Sequence, residues 1–271
     1  MSRVSRTPGI SRRRFLRLGL GFGLGCACGW LAPAPLWAGK NYYAENKASI
    51  LADFADTCLG VRALLAPRLG DKHAVDICAL AKDQFAKIVP DLPDVGGAAN
   101  RNQPFIVQAA ELAALHLALA PRGLSGRDAG RLYYDLNAGA LAAAPVTQLR
   151  AQGAALFTSE SRRKLEAWAL ETQKRKYPGD WVATYVPGDG KTFDLGYDYA
   201  ECGALKLFRA LDAAEAAPYF CINDFLASKA MGTGLFRKGT LAGGADRCDF
   251  RYKLDGPVSQ DWETEAPSRF V

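Results

Sequence analysis

Residues 181–199 read Trp181-Val182-Ala183-Thr184-Tyr185-Val186-Pro187-Gly188-Asp189-Gly190-Lys191-Thr192-Phe193-Asp194-Leu195-Gly196-Tyr197-Asp198-Tyr199. The opening six residues are rich in β-branched and aromatic side chains, which suit a strand. Pro187 to Gly190 is a turn cluster, and Thr192 to Tyr199 reads as a second strand. Two such runs about a short turn form a β-hairpin. The chain before this point carries helical periodicity instead. Helices first and hairpins later predict an α+β fold: an N-terminal helical region followed by a small antiparallel sheet of two hairpins packed with helices.

Upstream, Leu51, Phe54, Cys58, Val61, Leu64 and Leu65 recur near a 3.6-residue period; Gly70 interrupts it, and Val75, Cys78, Leu80, Phe85 and Ile88 resume it. Pro90 to Asn102 is a turn-rich connector. Ile106, Ala109, Leu112, Leu115, His116 and Leu119 form one apolar stripe, closed by Pro121-Arg122-Gly123. Ser125 with Asp128 three residues later predicts the cap of the next helix. A charged helix follows from about Ser159 to Lys176. Downstream, Ala200 to Ala214 and Asn223 to Met231 are predicted helices. A second hairpin is expected from Leu235–Leu241 and Arg247–Leu254 about Ala242 to Asp246. Residues 255–271 read as a polar tail. The expected division is a leader at 1–38, a helical N-terminal region at 39–99, a main domain at 100–254 and the tail.

The leader has its own signature. Arg12-Arg13-Arg14-Phe15-Leu16 precedes an uncharged, glycine- and leucine-rich run from Leu18 to Ala38. Basic residues, then an apolar stretch, then small residues is the order of a secretory signal, and the adjacent arginines point to the twin-arginine route. The expectation is a periplasmic protein whose partner during export is the twin-arginine translocase, with no stable membrane association after cleavage. The leader also explains the charge. The chain is formally +6, with 34 basic and 28 acidic residues, and six arginines lie within the first 38 residues, which hold no acid. The rest is balanced, so its surface gives no reason to expect a nucleic-acid partner.

Five cysteines lie beyond the leader: Cys58, Cys78, Cys202, Cys221 and Cys248. The odd number predicts at least one unpaired thiol. Cys58 and Cys78 fall on apolar helix faces and read as core. The other three accompany a carboxylate. Cys202 stands where a strand meets a helix, a position whose free N–H groups and dipole favour a thiolate. Cys221 precedes Asp224 by three residues, so one helix face would carry both. Cys248 is on the last strand. A Cys221–Cys248 disulfide is the structural alternative in an oxidising compartment.

The runs from Tyr177 to Phe208, Pro218 to Gly232 and Phe236 to Lys253 resemble the L-2-amino-thiazoline-4-carboxylic acid hydrolase family. Glu201-Cys202-Gly203, Cys221-x-x-Asp224 and Thr240-Leu241-Ala242-x-Gly244-x-x-x-Cys248-Asp249-Phe250 carry the likeness. The resemblance implies a hydrolase with a small-molecule substrate, adding water at the ring carbon of a cyclic amidine and releasing a carbamoyl-cysteine. It also implies that Cys202, Cys221, Asp224 and Cys248 are the catalytic candidates. Two chemistries fit those side chains. A Cys221 or Cys248 thiolate attacks, with Asp224 as acid and base. Alternatively, Cys202, Cys221, Asp224 and Cys248 hold a zinc-like divalent metal that activates water. The non-catalytic counterpart is a periplasmic thiol- or metal-binding protein.

Overall fold

A computed structural model describes residues 42–266 of the chain. The predicted leader, and the end of the predicted tail, lie outside the described residues. The architecture is α+β, with helices predominating and one four-stranded antiparallel sheet.

A one-turn helix, α1 (Tyr42–Glu45), leads into α2 (Lys47–Leu69) and α3 (Asp71–Ile88). They are separated by Gly70 at φ +85°, so the predicted break falls where a backbone favouring glycine is required. Helix α4 (Gln103–Leu119) is the centre of the helical layer: Ile106, Ala109, Leu112 and Leu115 are fully buried. The stretch Gln103–Arg122 is long and apolar enough to cross a membrane, yet most of it is enclosed by the other helices as a core element. Helix α5 (Gly126–Ala142) starts at a complete capping box between Ser125 and Asp128, as the sequence predicts. Helices α6 (Val146–Ala155) and α7 (Ser159–Thr172) complete the block.

Strands β1 (Val182–Pro187) and β2 (Leu195–Glu201) form the predicted hairpin. The register shifts between Val182 and Ala183, which would strand backbone groups of Ala183. Side chains from the end of α7 satisfy them. Ala183 N–H donates to Thr172 Oγ1 at 2.9 Å, and Gln173 Nε2 donates to the Ala183 carbonyl at 2.6 Å. Helix α8 (Gly203–Ala210) follows, then α9 (Ala217–Met231), β3 (Leu235–Phe236), β4 (Cys248–Tyr252) and the one-turn α10 (Trp262–Glu265).

Three local expectations change. Helix α9 starts six residues before the predicted Asn223, with Pro218 in its first turn, where a missing N–H costs nothing. The second hairpin is not a tight one. β3 is two residues long, and eleven residues separate it from β4, with a single 3-10 turn at Leu241–Gly243. β4 instead pairs mainly with β2, giving the order β1-β2-β4-β3. Finally, the segment read as a tail docks: Trp262 is buried against Tyr219, with ring centroids 5.5 Å apart, and near Tyr134.

The register of β2 against β4 fixes one face of the sheet. Tyr199 pairs with Cys248, Tyr197 with Phe250 and Leu195 with Tyr252, all buried. Alternation then sends Tyr197, Tyr199, Cys248, Phe250 and Tyr252 to the same side. Trp168 of α7 meets the Tyr197 and Tyr199 rings edge-on at 6.4 and 6.2 Å.

Candidate active site

Helix α9 carries the central side chains, and two devices hold it in place. At Gly130 of α5 a Cβ would overlap the Cβ of Tyr219, so only glycine allows the two helices to approach this closely. Beside that contact, Asn137 Nδ2 donates to Asn223 Oδ1 at 2.8 Å. At its C-terminus α9 ends on Gly232 in the left-handed region, and Ser228 Oγ accepts from Leu235 N–H at 2.9 Å, which turns the chain directly into β3.

Cys221 and Asp224 share one face of α9, as their spacing predicts. Asp224 does not stand alone: Arg237 Nη1 donates to its Oδ2 at 2.6 Å, and Nη2 donates to the Cys221 carbonyl at 3.0 Å. The guanidinium is only 4% exposed and lies between the rings of Phe225 and Phe250, 4.7 and 4.8 Å from their centroids. Its backbone is clamped as well. Arg237 N–H donates to Gln260 Oε1 at 3.1 Å, and Gln260 Nε2 donates back to the Arg237 carbonyl at 2.8 Å.

The loop after Arg237 folds over the thiols. Asp249 Oδ1 accepts the N–H groups of Lys238 and Gly239 at 3.0 and 2.9 Å, and Cys248 Sγ accepts from Leu241 N–H at 3.2 Å. Cys202 caps α8, its sulfur accepting from Leu205 N–H at 3.5 Å. All five described cysteines are free thiols, so the Cys221–Cys248 disulfide does not form here. Cys58 and Cys78 sit apart in the α2–α3 interface, where Cys78 Sγ donates to the Cys58 carbonyl at 3.3 Å.

Cys202, Cys221 and Cys248 are electrostatic neighbours of one another, and Asp224 acts on Cys221 and Cys248. The four candidates therefore cluster. They do not line one cavity equally. A pocket of about 300 Å³ is bounded by Cys221, Arg237, Thr240, Gly243, Gly244 and Glu265, among others; Cys202, Asp224 and Cys248 stand outside its lining.

Burial sets the protonation. It pushes each of the three thiols up to about 12, against the backbone N–H groups that lower Cys202 and Cys248. For Cys221 the same burial outweighs the Arg237 charge and the Thr240 hydroxyl, both of which favour the thiolate. The helix N-terminus at Cys202 is thus too weak to yield a resting thiolate, contrary to the sequence expectation. Burial also raises the Asp224 carboxyl above its ordinary value, despite Arg237.

The metal reading fits poorly. Among the described residues no group of three His, Cys, Asp or Glu side chains is arranged to hold a metal ion. The cause is local: Asp224 is engaged by Arg237, and the Cys202 and Cys248 sulfurs face backbone N–H groups.

The family model described as L-2-amino-thiazoline-4-carboxylic acid hydrolase matches residues 117–252, half of the chain, and encloses all four candidate residues. The chain belongs to this family. No curated protein and no solved structure matches it. Within the hydrolase family match also lie Arg237 and Thr240, which sequence reasoning did not single out. Thr240 opens the run that carried the resemblance, whereas nothing local marks Arg237: its partner Asp224 is thirteen residues away, across the turn into β3.

Proposed function

We propose that the chain is an exported, periplasmic hydrolase that opens a cyclic amidine of the aminothiazoline type, with Cys221 as nucleophile and Asp224 as acid and base. The carrying observation is that Cys221, alone among the clustered thiols, lines the pocket while Arg237 bridges its carbonyl to Asp224. Cys248 has its sulfur turned to Leu241 N–H and suits a supporting role.

The raised thiol sets the start of the proton path. The Cys221 thiol adds across the ring C=N: sulfur bonds to carbon, and its proton goes to the basic ring nitrogen. The tetrahedral carbon then expels the ring sulfur as a thiolate, leaving an isothiouronium on Cys221. Water attacks that carbon as the Asp224 carboxylate accepts a proton, which it then gives to the ring thiolate. Collapse to the urea returns the remaining hydroxyl proton to the departing Cys221 sulfur. The sum is one ring and one water giving one carbamoyl-cysteine. The Arg237 charge favours the carboxylate with which Asp224 begins and ends this cycle, and burial favours the proton it carries in between.

The test is to give the full chain L-2-amino-thiazoline-4-carboxylate and follow the product by mass spectrometry. Cys221→Ala should lose at least about 100-fold in kcat/KM, the scale of losing the attacking group, and Cys248→Ala much less. Undiminished turnover by Cys221→Ala removes the mechanism. For export, cell fractionation should find the chain in the periplasm, and the Arg12→Lys, Arg13→Lys variant retained in the cytoplasm.

A further inference from the structure

A second arginine faces the same aromatic sheet surface, and it has no carboxylate. The Arg101 guanidinium lies 4.9 Å from the Trp168 ring centroid and 5.8 Å from that of Tyr197. Among the described residues it makes no ion pair, and its buried Nε has no hydrogen-bond partner. Trp168 Nε1, on the ring beneath it, is also buried and unpartnered. Both groups are donors only, so neither can satisfy the other. Two adjacent orphan donors, one of them cationic, call for an anionic acceptor.

The position is built, not adventitious. Asn100 Nδ2 donates to the Val95 carbonyl at 2.6 Å and to Asp180 Oδ2 at 2.7 Å, while Asn100 Oδ1 accepts from Asn102 N–H at 2.8 Å. The backbone on either side of Arg101 is therefore tied to the residue preceding the sheet. The position also lies on the surface that carries Cys248. Trp168 meets the Tyr199 ring edge-on at 6.2 Å, and Tyr199 pairs with Cys248 across the sheet. Tyr197 in turn stacks on Phe250 at 4.9 Å, the ring that carries Arg237 on its other contacts. One arginine on this surface is neutralised from within the protein, and one is left for something else.

We infer that Arg101, with the Trp168 indole N–H, binds the carboxylate of the substrate and so selects ring acids over uncharged rings. The inference rests on the proposed hydrolase reading for the identity of the ring. Arg101 lies before the family match and Trp168 within it, so the site joins the matched region to the helical part that precedes it. Two nearly perpendicular rings, Trp168 and Tyr197, restrict the guanidinium on two sides, and its planar fork suits two parallel hydrogen bonds to a carboxylate.

The test separates binding from turnover. L-thiazolidine-4-carboxylate and thiazolidine share a ring that lacks the amidine carbon, and differ by the carboxylate. Ligand-observed NMR titration of the full chain should show the acid binding about 10- to 100-fold more tightly, the range of one charge-assisted hydrogen-bond set. Arg101→Gln should abolish that preference, Trp168→Phe should reduce it, and Arg101→Lys should retain part of it. A well-folded Arg101→Gln chain that still prefers the acid overturns the inference, as does a wild-type chain with no preference. Where Arg101→Gln fails to fold, Trp168→Phe with an unchanged preference has the same force. Turnover of L-2-amino-thiazoline-4-carboxylate and of 2-amino-thiazoline, measured in parallel, distinguishes the two readings. A chain that prefers the acid ligand but hydrolyses neither ring loses the activity and keeps the carboxylate site. One that hydrolyses both rings equally well keeps the activity and loses the site.

Discussion

Arg237→Met preserves the length of the side chain and deletes its charge. The guanidinium is buried, stacked between Phe225 and Phe250, and bonded to Asp224 and to the Cys221 carbonyl. Removing one member of a buried ion pair leaves the other uncompensated, at a cost of about 3–5 kcal/mol. Met recovers part of the aromatic contact through its thioether. A net loss of about 4 kcal/mol near neutral pH is therefore expected, given that range for the broken pair. The pH dependence follows from Asp224. Burial already raises its carboxyl, and Arg237 is the group opposing that rise. In the variant the folded value climbs further, so the folded chain holds a proton over a range in which the unfolded chain has lost it. Stability then falls as pH rises through that range, and the deficit relative to wild type shrinks as pH drops toward the ordinary carboxylate value near 4. Urea unfolding followed by tryptophan fluorescence at pH 7.5 and pH 5 reads both quantities. A second substitution, Asp224→Asn, should restore part of the loss at pH 7.5 and little at pH 5. A deficit below about 1 kcal/mol, the scale of an exposed pair, refutes the keystone role. So does a deficit equal at both pH values and untouched by Asp224→Asn.

The thiols give a second titration. With all three raised to about 12, the thiolate absorbance that the folded wild-type chain shows beyond a Cys202→Ala, Cys221→Ala, Cys248→Ala variant should grow only toward that pH, and a difference that steps near 9 contradicts their burial. Because the unfolded thiols ionise first, stability should fall above the ordinary thiol range by up to about 1.4 kcal/mol per pH unit for each thiol, less steeply when all three are Ala. Gly130→Ala drives a Cβ into Tyr219 and should cost about 1–3 kcal/mol as overpacking; an unchanged melting temperature would show that α5 and α9 do not meet this closely. Trp262→Ala should lose about 3–5 kcal/mol as a large-to-small core change and speed alkylation of Cys221, measured with a small haloacetamide. Equal alkylation rates would uncouple the C-terminal segment from the site.

The elements legible in the sequence are those whose signals are local. The break at Gly70, the Ser125 capping box and the first hairpin depend on a few neighbouring residues, and each stands where it was expected. The one-face placement of Cys221 and Asp224 depends only on helical spacing. The second hairpin differs because the turn chemistry of residues 242–246 signals a tight connection, whereas β4 finds a longer partner in β2 through the Tyr197–Phe250 and Tyr199–Cys248 pairs. The docking of Trp262 is not legible, because one aromatic in a polar stretch has no periodicity. Protonation is hidden for a related reason: a helix N-terminus is visible in sequence, but the depth at which a sulfur is buried is a tertiary property. Arg237 and Arg101 are invisible locally because each acquires its meaning from rings contributed by distant strands and helices.

The Gln260 clamp has a consequence for the order of assembly. Arg237 is held by Gln260, and Glu265, five residues further on, closes the pocket wall. The helical layer and most of the sheet can therefore form before this segment docks, but the buried cation then lacks its backbone support. A chain cut before Gln260 would be folded in most respects and chemically unfinished. The last strap to settle is thus the one that completes the site, and one amide side chain couples the two.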